Sequence, residues 1–188
     1  MKQRCSKFVG LLRGINVGGH NKIRMSDLRS LCTEIGWDEV QSYIQSGNLV
    51  FSAAATAARL EVQLEESIER RFGLQIPVIV RDAEDWFGYV KSNPFPEASL
   101  KEPNQVTLAL SKRTPKSDAT ERLRERASNG ESVVQTGNVL WIHFSGGSAK
   151  SKLSPTLLNR LVGSPVTARN WRTVLKLEDL AGSRRATG

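Results

Sequence analysis

The residues most suited to binding chemistry form a loop of glycine and basic residues near the start of the chain. Residues 13–24 read RGINVGGHNKIR, and no carboxylate occurs before Asp27. Glycine lets backbone amides approach an anion, the basic side chains add full charges, and a following helix start adds a partial positive charge. The pattern predicts a site for a phosphate-bearing ligand, formed by Arg13, Gly14, Asn16, Gly18, Gly19, His20, Asn21 and Lys22. The alternative is a long turn without a ligand.

This loop matches neither common phosphate-binding fingerprint. Gly19 is followed by His-Asn-Lys where a Walker loop requires Gly-Lys-Ser or Gly-Lys-Thr, and the dinucleotide fingerprint is missing too. Metal-dependent nucleases and phosphatases group carboxylates around their cation, and the loop contains none. His20 and His143 are the only histidines, too few for a multi-histidine metal site. The sequence therefore predicts neither a metal nor a cofactor.

Two further candidate sites lie in the second half of the chain. Residues 145–152 read SGGSAKSK, a carboxylate-free loop in which Lys150, Ser151 and Lys152 are expected to assist the ligand. The other site, Arg169-Asn170-Trp171, lies where a predicted strand ends and a helix begins. It is expected to bind an anion or to contact the partner lobe. A solvated connection and a tryptophan that fills the core are the respective alternatives. Asn48, at a predicted hairpin tip, completes the set of ligand residues.

The hairpin phrase occurs twice in the chain. QSGNLVF at 45–51 returns as QTGNVLW at 135–141, an offset of 90 residues in a chain of 188. The similarity continues downstream, where Phe72-Gly73 is answered by Val162-Gly163 at the same offset. Repetition at a fixed period indicates that one folding unit has been copied. The sequence thus predicts two matching lobes produced by tandem duplication.

Each lobe is predicted to run strand, helix, strand, strand, helix, strand. Apolar patterning places these elements at 7–12, 25–35, 41–45, 48–52, 60–72 and 76–80, and again at 106–110, 114–127, 133–135, 139–144, 155–162 and 165–168. Ser26 or Asp27 is expected to cap the first helix. The predicted fold class is α+β, a tandem ferredoxin-like β-α-β-β-α-β unit with antiparallel sheets and helices on one face. We place the lobes at 1–94 and 95–188, with a flexible tail at 183–188 and a ligand groove between the lobes.

Charge and composition narrow the class of protein. The net charge is +8, with 12 basic and 11 acidic residues in 1–94 against 15 and 8 in 95–188. A basic surface attracts nucleic acid, nucleotides or acidic metabolites, although it also serves solubility. No apolar run is long enough for a membrane span, and the start of the chain lacks a signal-peptide core, so we expect a cytoplasmic protein without a membrane partner. Cys5 and Cys32 are expected to be free thiols. The sequence does not determine the oligomeric state.

Five motifs resemble one bacterial family in their order along the chain. They are LLRGINVGG at 11–19, YIQSGN at 43–48, NPFP at 93–96, SKL at 151–153 and RNW at 169–171. Together they resemble the bacterial domain-of-unknown-function family 1697. The resemblance spans nearly the whole chain and implies a tandem pair of ferredoxin-like subdomains. It implies no established activity, substrate or catalytic residue.

Three functions are compatible with these features, and the sequence leaves open whether the protein is an enzyme. The first is a binding protein for a nucleotide or nucleic acid, held at the first glycine loop with help from Lys150, Lys152 and Arg169. The second is a small hydrolase of phosphate esters or acyl phosphates, in which Arg13 cradles phosphate and either Asn16 or Asn48 orients water, by analogy of fold alone. The third is a structural or interaction module. Convergence of the cationic residues on solvent would favour the first.

Overall fold

The computed structural model describes residues 5–182 of the chain. They form an α+β fold with two four-stranded antiparallel sheets, one in each of two similar lobes, which confirms the predicted class. Two compact units divide the chain, one comprising the residues up to Phe87 and those from Leu177 onward, the other Gly88–Lys176. The boundaries drawn at 1–94 and 95–188 stay a prediction, and the tail predicted at 183–188 lies outside the described residues. No helix within 5–182 is long and apolar enough to cross a bilayer.

The first lobe is built on a sheet with the strand order β2-β3-β1-β4. Its elements are β1 (Ser6–Leu12), α1 (Met25–Glu34), β2 (Asp38–Tyr43), β3 (Asn48–Ala53), α2 (Ala57–Phe72) and β4 (Val78–Asp82), followed by α3 (Ala83–Lys91). The central strand β1 pairs antiparallel with β3 on one side and with β4 on the other. The loop that leaves β1 and the loop that enters β4 therefore lie at the same end of the sheet.

Helical spacing of apolar residues forms the core of this lobe. Leu60, Leu64 and Ile68 recur every four residues along α2 and are fully buried, in one cluster with Phe8 of β1 and Leu28 of α1. Burying each such side chain contributes roughly 1.5–3 kcal/mol. At its start, α2 is capped by the Thr56 hydroxyl, which accepts a hydrogen bond from the Arg59 amide at 3.4 Å. The helix that the sequence predicts at 60–72 is therefore confirmed, and it begins slightly earlier.

The second lobe repeats the order of elements with the sheet β6-β7-β5-β8. Its elements are α4 (Pro96–Lys101), β5 (Val106–Ser111), α5 (Ala119–Arg126), β6 (Glu131–Thr136), β7 (Val139–Phe144), a 3-10 turn (Ser148–Lys150), α6 (Pro155–Val162) and β8 (Val166–Asn170). The last helix, α7 (Trp171–Gly182), begins in this unit, and its residues from Leu177 onward belong to the first. Ser154 caps α6 by accepting from the Leu157 amide at 3.3 Å, as its position before Pro155 indicates.

Helix α5 begins later than its sequence pattern suggests. The predicted start at Thr114 and Pro115 lies in a loop, and the helix begins at Ala119. Tertiary hydrogen bonds anchor this loop: the Lys116 amide donates to the Val162 carbonyl at 3.2 Å, and the Arg113 amide donates to Ser164 Oγ at 3.2 Å. These bonds tie the loop to the end of α6 and to the turn after it, and this tertiary anchoring overrides the local helix propensity.

Candidate functional site

Three segments of the first lobe meet at one end of its sheet. The Leu12 amide donates to the Gly47 carbonyl at 2.8 Å, and the Arg13 amide donates to the Pro77 carbonyl at 3.0 Å. These bonds join the glycine loop after β1 to the hairpin between β2 and β3 and to the start of β4. The motifs LLRGINVGG and YIQSGN, far apart in sequence, are therefore parts of one assembly.

Asn16 fixes the shape of the glycine loop. Its Nδ2 donates to the carbonyls of Ile23 at 2.9 Å and Gln45 at 2.8 Å, while its Oδ1 accepts from the Ile23 amide at 2.9 Å. Both amide hydrogens of Asn16 are thus used inside the protein. Asn21 closes the loop further, donating from Nδ2 to the Gly14 carbonyl at 3.0 Å. These two predicted ligand residues form the framework of the loop.

The other loop residues present backbone and charge to solvent. Gly14, Gly18, Gly19, His20 and Lys22 are exposed, and Arg13 is half-buried. A side-chain carbon added at Gly14 or Gly19 would meet no atom within 4 Å, so open space lies beside the backbone there. The loop therefore leaves room for a ligand to approach its main chain.

A pocket of about 600 Å³ opens beside this loop. Asn16, Gly19, Lys22, Ile23, Arg24, Asp27, Gln45 and Phe72 line it. Lys22 and Arg24 bring positive charge, and Asp27 brings a carboxylate. Arg24, rather than Ser26 or Asp27, occupies the N-cap position of α1, and its side chain makes no capping hydrogen bond among residues 5–182. The predicted cap is therefore wrong, because α1 begins two residues before Asp27.

Asn48 lies inside the lobe and is not among the residues that line this pocket. The residue is fully buried, and its Nδ2 donates to the Tyr43 carbonyl and to Ser46 Oγ, both at 3.0 Å. These bonds hold the tip of the β2–β3 hairpin. Its assignment as a ligand residue stays a prediction, and its observed contacts are structural.

The second candidate loop faces a carboxylate that its own sequence does not contain. Ser151 donates from Oγ to Oε1 of Glu131, and the other carboxylate oxygen, Oε2, accepts from the Ser128 and Asn129 amides at 2.9 and 2.7 Å. Burial acts to raise the pKa of Glu131, but the hydrogen bonds from Ser151 and these amides outweigh it and lower the pKa. Lys150 and Lys152 are exposed. The Ser151 hydroxyl is engaged by an anion of the protein itself.

The third candidate, at the end of β8, has partners within its own lobe. Arg169 Nη1 donates to Thr167 Oγ1 at 2.7 Å and to the Ala168 carbonyl at 2.9 Å, and burial lowers the pKa of Arg169 to about 10. Asn170 caps α7, with Oδ1 accepting from the Thr173 amide at 3.0 Å. The ring of Trp171 packs against Trp141 with centroids 5.8 Å apart. These contacts match the structural alternative given for this motif.

The predicted ligand residues divide between the two lobes. The glycine loop and Asn48 belong to the first sheet, whereas the second and third candidates lie at one end of the second sheet, since Asn170 pairs with Thr107 near the start of β5 and β7 ends there. The second-lobe hairpin tip at 136–138 lies at the opposite end. The loop at 145–152 is therefore not the counterpart of the first glycine loop.

Lys112 occupies in the second lobe the position that Arg13 occupies in the first, and it was not among the predicted ligand residues. The Lys112 amide donates to the Pro165 carbonyl at 3.0 Å, just as the Arg13 amide donates to Pro77. Lys112, Arg113 and Lys116 follow β5 with no carboxylate before Asp118, so the sequence itself shows a second basic run after a strand. Five of the eight pocket residues were also not among the predicted ligand residues: Ile23, Arg24, Asp27, Gln45 and Phe72. The sequence gives no sign that Phe72 belongs to a ligand site, because only packing brings the end of α2 to the loop.

Comparisons with known proteins concern the family and the fold. The model of a family described as a protein of unknown function, DUF1697, matches residues 5–141. Among solved structures, the conserved bacterial protein SP0830 from Streptococcus pneumoniae is similar with a TM-score of 0.74 and 25% sequence identity. That alignment covers 95% of this chain and 99% of the other. No curated protein matches the chain.

Proposed function

This chain belongs to the DUF1697 family of proteins of unknown function, and from that premise we propose that it is a cytoplasmic binding protein for a phosphate-bearing ligand. The ligand is held in the pocket beside the first glycine loop. One observation carries this proposal: Gly19, Lys22 and Arg24 line a single pocket of about 600 Å³. The anion receives two full charges there and approaches an open stretch of backbone.

Rigidity of the loop supports this proposal. A site that is ordered before binding loses less conformational entropy when the ligand arrives. Asn16 makes three hydrogen bonds across the loop, two to Ile23 and one to Gln45. The cations at 22 and 24 flank Ile23, whose side chain is only 2% exposed. The backbone that carries both cations is thereby anchored in the core.

The fold behind the site is proposed to be a duplicated ferredoxin-like unit. Support comes from the same order of elements in both lobes, from sheet orders β2-β3-β1-β4 and β6-β7-β5-β8, and from helices α2 and α6 that both end at a glycine. The matched bonds of Arg13 to Pro77 and of Lys112 to Pro165 add a detailed correspondence. Under this proposal the loop after the first strand of each lobe is basic, and the loop of the first lobe is rich in glycine as well.

The hydrolase alternative has less support from the contacts of the asparagines. It requires an asparagine amide to orient a water molecule beside Arg13. Both amide hydrogens of Asn16 are used within the loop, and Asn48 is fully buried. The structural-module alternative accounts well for Asn16 and Asn48 but not for the exposed cations of the pocket. Equal hydrolysis of acetyl phosphate by the wild-type protein and by Arg13→Ala would discard the hydrolase.

A titration tests the binding function. Fluorescence titrations with ATP, single-stranded RNA and double-stranded DNA at low and raised salt are expected to show binding that weakens with salt, since bound counterions are released. The double variant Lys22→Ala/Arg24→Ala should lose this binding. The control Arg70→Ala/Lys101→Ala removes the same charge from exposed positions outside the pocket and should retain it. Absence of binding to all three ligands at low salt would refute the proposal.

A further inference from the structure

The pocket beside the glycine loop is lined by groups that a phosphate alone would not contact. One part of its lining is cationic, with Lys22 and Arg24; another is apolar, with Phe72; and a third is a hydrogen-bond acceptor, Asp27. We propose that its ligand is a free mononucleotide, with the phosphate at the two cations, the base against Phe72 and donor groups of the nucleoside at Asp27. This inference rests on the proposed function and names the ligand class of the same site.

The size of the pocket favours a small organic molecule over a lone anion. Ligand pockets for small molecules measure roughly 300–1,000 Å³, and this one measures about 600 Å³. An inorganic phosphate fills only a small part of that space. The remaining volume lies against side chains that do not attract anions, so the ligand has a part that is not a phosphate.

The apolar part of the lining is suited to a flat ring. Phe72 is the last residue of α2; it is half-buried and packs against the core cluster of the lobe, which fixes its position. Bases stack on aromatic rings largely without regard to their identity. Ile23, from the loop itself, is buried beside the same pocket. An aromatic base therefore finds a supported surface there.

Asp27 selects for a ligand that also carries hydrogen-bond donors. A carboxylate repels phosphate, so its presence in the lining is a cost unless another part of the ligand donates to it. Its Oδ1 accepts from Ser26 Oγ at 3.2 Å, and a carboxylate has further acceptor capacity. Ribose hydroxyls and exocyclic amines are such donors, and acidic residues bind ribose hydroxyls in dinucleotide sites. A sugar phosphate would use Asp27 but not Phe72.

A single nucleotide fits this lobe better than an RNA strand. RNA-binding domains of this general fold stack successive bases on aromatic side chains exposed on the sheet. On β1 the aromatic residue is Phe8, which is 1% exposed and belongs to the core cluster. The first sheet therefore offers no stacking ring on its central strand. The aromatic contact available at the glycine loop is Phe72, enough for one base.

Calorimetry with a graded set of ligands tests the inference on the full-length protein. The set comprises inorganic phosphate, ribose 5-phosphate, adenosine, the four ribonucleoside 5′-monophosphates and an eight-nucleotide RNA. At least one mononucleotide is expected to bind about tenfold more tightly than phosphate or ribose 5-phosphate, a difference of about 1.4 kcal/mol. In NMR spectra, the backbone amide resonances of Gly19 and Gln45 should shift when that mononucleotide is added.

Two conservative variants separate recognition of the nucleoside from binding of the anion. Phe72→Leu keeps apolar packing but removes the flat ring, and Asp27→Asn keeps the size but removes the charge. Each should weaken mononucleotide binding about fivefold or more while leaving phosphate binding unchanged or, for Asp27→Asn, stronger. Asp38→Asn, at an exposed position of β2, is the matched control. Circular dichroism verifies that each variant is folded.

Every outcome of this set is decisive. If phosphate and ribose 5-phosphate bind as tightly as the mononucleotides, the inference is overturned and the proposed function stands. If the RNA binds far more tightly than any mononucleotide, a polymer is the ligand and the inference is again overturned. If none of these ligands binds, the inference fails, and the proposed function then rests on the titrations with ATP and double-stranded DNA. Tightest binding by a mononucleotide, lost in Phe72→Leu and Asp27→Asn, supports it.

Discussion

Replacing Gly47 by alanine should destabilise the protein much more than the same change at Gly137, although the two glycines occupy the same place in the repeated phrase. Both have positive φ, +76° and +57°. At Gly47 a new Cβ would lie 2.7 Å from Leu12 Cβ and 2.8 Å from Ile15 Cδ1, whereas at Gly137 it would meet nothing within 4 Å. The comparison thus isolates close packing from backbone conformation.

The expected losses of stability follow from the cost of the backbone conformation and the cost of close packing. An L-residue in the left-handed region costs roughly 1–2 kcal/mol, and the restricted unfolded chain returns about 0.4–1 kcal/mol of this. Gly137→Ala should therefore cost about 1 kcal/mol. Overpacking adds roughly 1–3 kcal/mol at Gly47, because Leu12 Cβ is fixed by the strand backbone and cannot rotate away. Gly47→Ala should cost about 2–4 kcal/mol.

Urea unfolding followed by circular dichroism and tryptophan fluorescence measures the difference. The free energy of unfolding is compared between the two variants at unchanged m-value. A double-mutant cycle of Gly47→Ala with Ile15→Val should recover part of the loss, since the Cδ1 contact disappears while the Leu12 contact remains. Equal destabilisation by the two alanine substitutions would contradict the close contact of Gly47 with Leu12 and Ile15.

Three further results are expected. Asn16→Asp should lower the free energy of unfolding by about 2–3 kcal/mol in urea titrations, because two donated hydrogen bonds are lost and a carboxylate faces two carbonyl oxygens; a neutral effect would contradict the loop framework. Because the folded pKa of Glu131 lies below its ordinary value of 4.5, its contribution to stability is complete above that value and is lost as pH falls through the lower folded pKa. Thermal melts of Ser151→Ala should show a weaker loss of stability on acidification than the wild type, and identical profiles would count against this bond. Burial raises the pKa of Cys32 to about 12, so Ellman's reagent at pH 8 should modify only the exposed Cys5 until the protein unfolds, and rapid modification of both thiols would argue otherwise.

The sequence predicted those parts of the fold that depend on short spacings. The four-residue spacing from Leu60 to Ile68 indicates one apolar helix face, and Ser154 before Pro155 indicates a helix start; both are found. The predicted start of α5 at Thr114 is too early, because bonds of this loop to the end of α6 and the turn before β8 override local propensity. Such partners lie about fifty residues away, where spacing carries no information.

The candidate site was predicted less completely than the fold. Glycine and basic residues at 13–24 could be recognised as a loop able to bind an anion, and their exposure agrees with that interpretation. The loop at 145–152 was interpreted as free of carboxylates, yet Glu131 of β6 reaches Ser151. A segment's own composition does not reveal which side chains a neighbouring strand will bring to it.

The sequence by itself determined the two-lobe organisation, the order of strands and helices, and the family, because repetition and apolar periodicity are properties of neighbouring residues. Only the tertiary structure decided which residues share a pocket. Phe72 and Gln45 reach the first glycine loop through the register of β1 with β3 and the packing of α2. The tertiary structure also decided that Gly47 is tightly packed whereas open space lies beside Gly137, although both occupy the same place in the repeated hairpin phrase. Contacts between distant segments depend on strand register and packing, which no local pattern encodes.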